Sequence, residues 1–201
     1  VYGIFLFLFN APNIFWAQEK DWELVKEKNG IKIFSWDNPQ TGLKEIRIQF
    51  KAHTEIDHAI AYLRDPSTYP DWIYKCTEAH SIKQKTNGIR VYYSRLDFPW
   101  PLKDRDIVAR SEVVRNPENG AVVVRAEALE GNFPEKDKVI RISYMHSKWT
   151  FTPLKNDMVL LEYQLQSDPG GALPKWAINL AATKGPYKTA KKFKKHISQN
   201  Q

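Results

Sequence analysis

The chain has 201 residues and a net charge of +7, with seven Trp, nine Tyr, ten Phe and a single Cys. That length fits one domain better than two and lets the chain bury roughly 70% of the surface it exposes when unfolded, so no disulfide or metal staple is required. All of the net charge lies after Asp168, where seven lysines (175, 184, 188, 191, 192, 194, 195) meet no acidic residue; a nucleic-acid binder spreads its basic residues over a groove among aromatics, so nucleic acid is not an expected partner.

Residues 1–17 are apolar from Ile4 to Phe9, interrupted from Asn10 to Asn13, apolar again from Ile14 to Ala17, and uncharged. This resembles the core of a secretory leader cleaved after Ala17, and gives an expectation of export to the periplasm or medium. The alternatives are an anchored N-terminus, although the run is short of the ~20 residues a span needs, or a cytoplasmic chain. A short helix is expected over Asp21–Lys28, ending at Asn29-Gly30, then a strand over Ile31–Trp36. Leu43–His53 alternates cleanly, with Ile46, Ile48, Phe50 and Ala52 on a dry face and Glu45, Arg47, Gln49 and Lys51 on a wet one. Thr54 with Asp57 approximates a capping box for a helix carrying Ile56, Ala59, Ile60 and Leu63, stopped by Asp65-Pro66. Ser67–Tyr74 reads as a short helical connector.

Strands then dominate. Cys76–Lys85 and Ile89–Leu96 flank the hairpin signal Asn87-Gly88. The lone Cys76 excludes an internal disulfide and a cysteine-based zinc site, and reads as a buried structural thiol. Further strands are expected at Ile107–Val114, Ala121–Leu129, Val139–Phe151 and Met158–Gln166, and a helix from Leu173 to about Ile197, broken at Gly185-Pro186. The fold class is α+β: a curved antiparallel sheet wrapped around a long C-terminal helix, with an apolar cavity between them.

At ~100° per residue, Leu173, Trp176, Leu180, Thr183 and Tyr187 share one stripe of that helix, either roofing the cavity or forming ordinary core. Lys184, Lys188, Lys191, Lys192 and Lys195 gather on another face, as a docking surface for anionic membrane or as a solvated helix end. Tyr93 and Arg95 continue the apolar face of Ile89 and Val91. Arg95 then pairs with a carboxylate such as Glu162, meets a polar ligand head, or sits at the strand end in water. His146 carries the same ambiguity. Trp100, between two prolines, is expected to be buried against the next strand, the alternatives being outward presentation or a cap on the cavity.

Two segments point to a family. Phe98-Pro99-Trp100-Pro101-Leu102-Lys103-Asp104 leads into Arg105-Asp106-Ile107-Val108. Trp149 and Pro153 precede Leu161-Glu162-Tyr163, Asp168-Pro169-Gly170-Gly171, Leu173-Pro174-Lys175-Trp176 and Gly185-Pro186-Tyr187. Order and spacing resemble the START lipid-transfer domain over roughly residues 20–198. The resemblance implies a helix-grip fold and a tunnel holding a lipid, sterol or similar molecule, with no cofactor, no metal and no catalytic residue. Tyr93, Arg95, Trp149, Glu162, Tyr163, Trp176, Leu180, Thr183 and Tyr187 would line it, and Trp100 and Leu102 would gate it. Sterol-binding relatives carry a buried Arg where this chain has Ser111, with Arg110 on the opposite face, which leaves the headgroup contact unassigned. The expected partners are a hydrophobic small molecule and, transiently, an anionic membrane, the chain acting as a monomer. Two other classes stay open: a cyclase-like enzyme of the same fold, enlisting Tyr144, His146, Arg95 and Glu162, and a cargo-less interaction module. The five His (53, 58, 80, 146, 196) are scattered, with no metal-ligand spacing.

Overall fold

Alternating sequences have little choice but to pair their dry faces toward one side, and here ten strands do so in one open sheet. The structure, a computed structural model, describes residues 20–84, 88–131 and 133–198; the expected leader over 1–17 and part of the Asn87-Gly88 turn lie outside them. The strands are β1 (Glu23–Lys28), β2 (Ile31–Asp37), β3 (Lys44–His53), β4 (Cys76–Gln84), β5 (Arg90–Leu96), β6 (Asp104–Arg115), β7 (Val122–Ala128), β8 (Val139–Arg141), β9 (Tyr144–Pro153) and β10 (Met158–Asp168). Their order is β1-β2-β3-β10-β9-β7-β6-β5-β4, with antiparallel neighbours throughout. The short β8 pairs in parallel with β6, off this path.

Residues 23–28 are a strand, not the expected helix. Asn29 and Gly30 both take positive φ (53° and 69°), the geometry of a two-residue hairpin turn, so β1 folds back on β2. The wet face of β3 is also partly covered. Glu45 is buried, accepting from Lys20 Nζ at 2.5 Å and Asn38 Nδ2 at 2.8 Å, while the Arg47 guanidinium lies 4.7 Å from the Trp22 ring and 4.5 Å from that of Phe34.

The register sorts the concave face into rows. Phe50, Leu161, Phe151 and Val122 lie side by side in one; Ile48, Tyr163, Trp149, Val124 and Val113 in the next; Ile46, Leu165, Ser147, Ala126, Ser111 and Arg90 in the third. The first two rows are bulky and the third turns small at its centre.

Helix α1 (Ile56–Leu63) has Glu55, not Thr54, at its N-cap position, with no side-chain capping bond; the Thr54 hydroxyl donates to the Glu55 carbonyl at 3.2 Å. A turn over Pro66–Thr68, held by the Asp65 carboxylate, leads to α2 (Tyr69–Trp72). The final helix has three parts: α3 (Lys175–Asn179), a π turn (Leu180–Lys184) and α4 (Gly185–Ile197). Pro186 has no N–H to give to the carbonyl four residues back, and the Gly185 N–H reaches Leu180 O instead, which inserts one extra residue. A side chain at Gly185 would crowd that carbonyl, its Cβ coming within 3.3 Å.

Ala190, Phe193 and Ile197 of α4 are fully buried on the bulky rows. The Phe193 ring lies 4.7 Å from Trp72 and 4.9 Å from Trp149; burying such a side chain contributes about 1.5–3 kcal/mol. Cys76 joins this core, and burial pushes its thiol up to about 11, as a structural rather than reactive cysteine requires. Among the described residues no helix is long and apolar enough to cross a membrane.

Candidate functional site

Where the final helix turns small, helix and sheet do not meet. Beyond Phe193 the sheet still offers Ile46, Leu165, Met145 and Ile107, but the helix above them presents Ala177, Ala181 and Gly185. The mismatch leaves a cavity of about 300 Å³. Its floor is Ile46, Ile48, Tyr163, Leu165, Met145, Trp149, Ile107 and Ser94, and its near wall Trp72, Ile73 and Tyr74. Its rim is formed by Asp97, Phe98 and Pro99 on one side and Gly185, Pro186 and Thr189 on the other. This is the size and lining of a site for an apolar small molecule.

The rim is fastened by Arg105, which is 1% exposed. Its Nε donates to Pro169 O at 3.2 Å, one terminal nitrogen to Gly170 O at 3.1 Å and the other to Lys103 O, and it stacks 4.4 Å from the Phe98 ring. One side chain thus ties the Pro-rich loop to the Asp168-Pro-Gly-Gly turn. Gly170, at φ 67°, has no room for more: an added Cβ would stand 3.1 Å from Ile140. On the other face of β6, Asp106 holds Arg141 Nε at 2.7 Å, and Arg141 also donates to Pro134 O at 3.1 Å.

Of the residues expected to line the cavity, Trp149, Tyr163 and Leu180 do so. Tyr93 and Arg95 face the opposite side of β5, and Tyr92, Ser94 and Leu96 face the helix. The outer side read as apolar because Leu129 and Phe133 cover it, so Val91, Tyr93 and Val108 form a second small core there. Arg95 pairs with Asp104 (2.6 and 2.9 Å), not with Glu162, which accepts from Gln49 at 2.6 Å and Gln164 at 2.7 Å away from the cavity. Of the helical stripe only Leu180 lines the cavity, Ala177 doing so in place of Trp176, and Gly185, Pro186 and Thr189 in place of Tyr187. Trp176 is 47% exposed, Thr183 donates to Asn179 O at 2.8 Å, and Tyr187 packs under Lys26 and Asn29.

Trp100 is 91% exposed, contrary to the expected burial, because the Arg105 anchor and Pro99 hold its loop clear of the sheet. Leu102 is half-buried in the same loop, its N–H bonded to Pro99 O at 3.0 Å. Lys184, Lys188, Lys191, Lys192 and Lys195 are all exposed, and Lys188 Nζ sits 4.6 Å over Tyr74 beside the rim. Tyr144 and His146, which an enzyme reading would enlist, are not at the cavity: Tyr144 donates to Gln166 at 2.8 Å and His146 is exposed beside Glu127. Among the described residues no cluster of His, Cys, Asp or Glu could hold a metal ion.

Sequence reasoning missed Ser94, Met145, Ala177, Ala181 and Thr189. For Ser94 and Met145 a signal was available, since each lies two residues from a strand position that faces the helix.

A curved, open antiparallel sheet gripping a helix over an internal apolar cavity defines a helix-grip binding fold. Residues 16–201 match the START domain, and the chain belongs to that family. It is 27% identical over 173 residues to the bovine phosphatidylcholine transfer protein, covering 82% of this chain and 78% of that one. A solved STAR-related lipid transfer protein from Xanthomonas axonopodis superposes with a TM-score of 0.79 at 28% identity, covering 89% of this chain and 99% of the other. Human StAR-related lipid transfer protein 5 shares the fold at a TM-score of 0.78 and 17% identity, over 88% and 86% of the two chains.

Proposed function

We propose that the protein binds a lipid or similar apolar molecule in this cavity without transforming it, and carries it to or from a membrane. The observation that carries the reading is the cavity itself, an apolar space left where small residues of the final helix stand over a bulky sheet. The phosphatidylcholine transfer protein and the Xanthomonas lipid transfer protein, both similar along most of the chain, support it. Native mass spectrometry of freshly purified protein, with extraction of whatever is bound, tests it. A stoichiometric apolar molecule is expected; a protein that is empty and takes up no fluorescent lipid would reject the reading.

The rim supplies the membrane contact. Trp100 and Trp176 are exposed on its two sides, together with Ile178, and Lys184 and Lys188 stand beside it. Exposed tryptophans suit a membrane interface, and each lysine near an anionic surface contributes about 1 kcal/mol. Reversing Lys188, Lys191 and Lys192 to Glu is therefore expected to weaken binding to phosphatidylserine vesicles at least about tenfold, and more at low salt. Trp100→Ala should weaken it at all salt concentrations. Vesicle flotation measures both, and unchanged affinity in the lysine variant would reduce the basic face to a solubility feature.

A further inference from the structure

The cavity measures about 300 Å³, and that volume bounds what it can enclose. An engineered apolar cavity of about 150 Å³ holds one benzene, which sets about 25 Å³ for each carbon atom. On that scale the space here takes about twelve carbons. A phospholipid with two eighteen-carbon tails would need roughly 900 Å³ for the tails alone, about three times as much. We propose that the ligand is a single-tailed amphiphile, with one hydrocarbon chain of about ten to twelve carbons enclosed and its polar head left at the rim. This rests on the reading that the cavity holds a lipid, and it names which lipids fit.

The shape agrees with the volume. The floor runs across the sheet from Ile46 on β3 through Leu165 on β10, Met145 on β9 and Ile107 on β6 to Ser94 on β5. Neighbouring strands stand about 4.8 Å apart, so this path covers about 20 Å on the concave side of the sheet. A volume of about 300 Å³ drawn out along it has a cross-section of about 15–20 Å². That is the width of one hydrocarbon chain, since about 25 Å³ per carbon along an extended chain corresponds to about 20 Å². Two chains do not fit abreast.

Aromatic rings keep the space from running on toward α4. Trp149 stacks on Tyr163 at 4.5 Å, and Phe193 lies 4.9 Å from Trp149 and 4.7 Å from Trp72. Trp72 is itself fastened, its Nε1 donating to the Thr68 hydroxyl at 3.1 Å. Behind Trp72, Trp149 and Tyr163 lies a second space of about 80 Å³; a tail that entered it would gain only about three carbons. At the rim the polar groups are already engaged. Lys75 and Asp97 pair with each other at 2.5 Å, and the Thr189 hydroxyl accepts from the Tyr74 N–H at 3.0 Å. Selection therefore acts on the tail, and the head is left to water.

The test is a chain-length series. Straight-chain fatty acids from eight to eighteen carbons displace a fluorescent probe from delipidated protein at pH 8, each kept below its aggregation limit. Affinity is expected to rise about fourfold with each methylene, the fold-change for burying one CH₂, and to level off near twelve carbons. The eighteen-carbon acid should then bind no more than about tenfold tighter than the twelve-carbon acid. A rise that continues to eighteen carbons, about a thousandfold or more beyond twelve, would overturn the size limit and leave lipid binding standing. So would a stoichiometric complex with dioleoylphosphatidylcholine, detected by native mass spectrometry after incubation with its vesicles. Binding of none of these lipids would overturn the lipid-binding reading itself. Two variants place the limit in this cavity. Met145→Ala enlarges the floor and should move the break up by about two to three carbons, whereas Ala177→Leu fills the roof and should move it down by as much. Thermal unfolding reports which variants are folded, and a break that stays in place in a folded variant would overturn the assignment.

Discussion

Replacing Arg105 with Met is expected to destabilise the protein by about 3 kcal/mol or more, a fall in Tm of about 6–12 °C for a chain of this size. The side chain is fully buried and gives hydrogen bonds to the carbonyls of Lys103, Pro169 and Gly170. Methionine matches its length but offers no donor, so these acceptors lose their partner in a place with little access to water. Lysine keeps the charge but not the planar fork, and should fall between the two. Thermal unfolding followed by circular dichroism measures the effect. A loss below 1 kcal/mol for Arg105→Met would mean that the loop and the Asp168-Pro-Gly-Gly turn hold each other without it.

Ser94→Trp is expected to lower lipid uptake at least about a hundredfold while moving Tm by no more than ~3 °C. Ser94 is buried on β5 and faces the cavity across from Leu180 and Ala181. An indole there takes up much of a space of about 300 Å³ and meets void rather than packed atoms; overpacking costs about 1–3 kcal/mol only where the core is already full. Ala182→Trp is the contrasting variant. Ala182 belongs to the core cluster under the final helix and does not line the cavity, so the same change there should cost stability first. Parallel titration with fluorescent lipid and thermal unfolding separate the two. Equal loss of stability and uptake in Ser94→Trp would mean that no preformed cavity lies beneath it.

Much of the fold was legible because alternation is a direct statement about faces. β3, β6, β7 and β10 lie close to where period-two patterning put them, the single strand expected over Val139–Phe151 is split into β8 and β9, and the break near Gly185-Pro186 is present as a π turn. What patterning misjudged was cover that comes from elsewhere in the chain. Tyr93 looked inward because its side of β5 is apolar, yet the matching cover is Leu129 and Phe133, some 35–40 residues on. Residues 23–28 looked helical because Trp22 and Val25 fit a helical spacing as well as a strand, and Asn29-Gly30 was read as a helix end when its positive φ values make a hairpin. The helix stripe failed twice: Trp176 lies outside the cavity and Ala177 in it already before the π turn, and past that turn a wheel drawn at a constant ~100° per residue cannot anticipate an inserted residue.

The strand order has a consequence for how the molecule is made. β3 is joined to the rest of the sheet only through β10, with His53 opposite Met158. As the chain leaves the ribosome, β1–β3 and β4–β9 are two separate half-sheets, each with an unsatisfied edge, until the tenth strand closes the gap between them. Such distant pairing makes for slow, late consolidation, and Phe193, which seals the bulky rows, arrives later still. A nascent or truncated chain ending before Met158 would carry two sticky borders and no roof, the condition in which partly folded proteins recruit chaperones or aggregate.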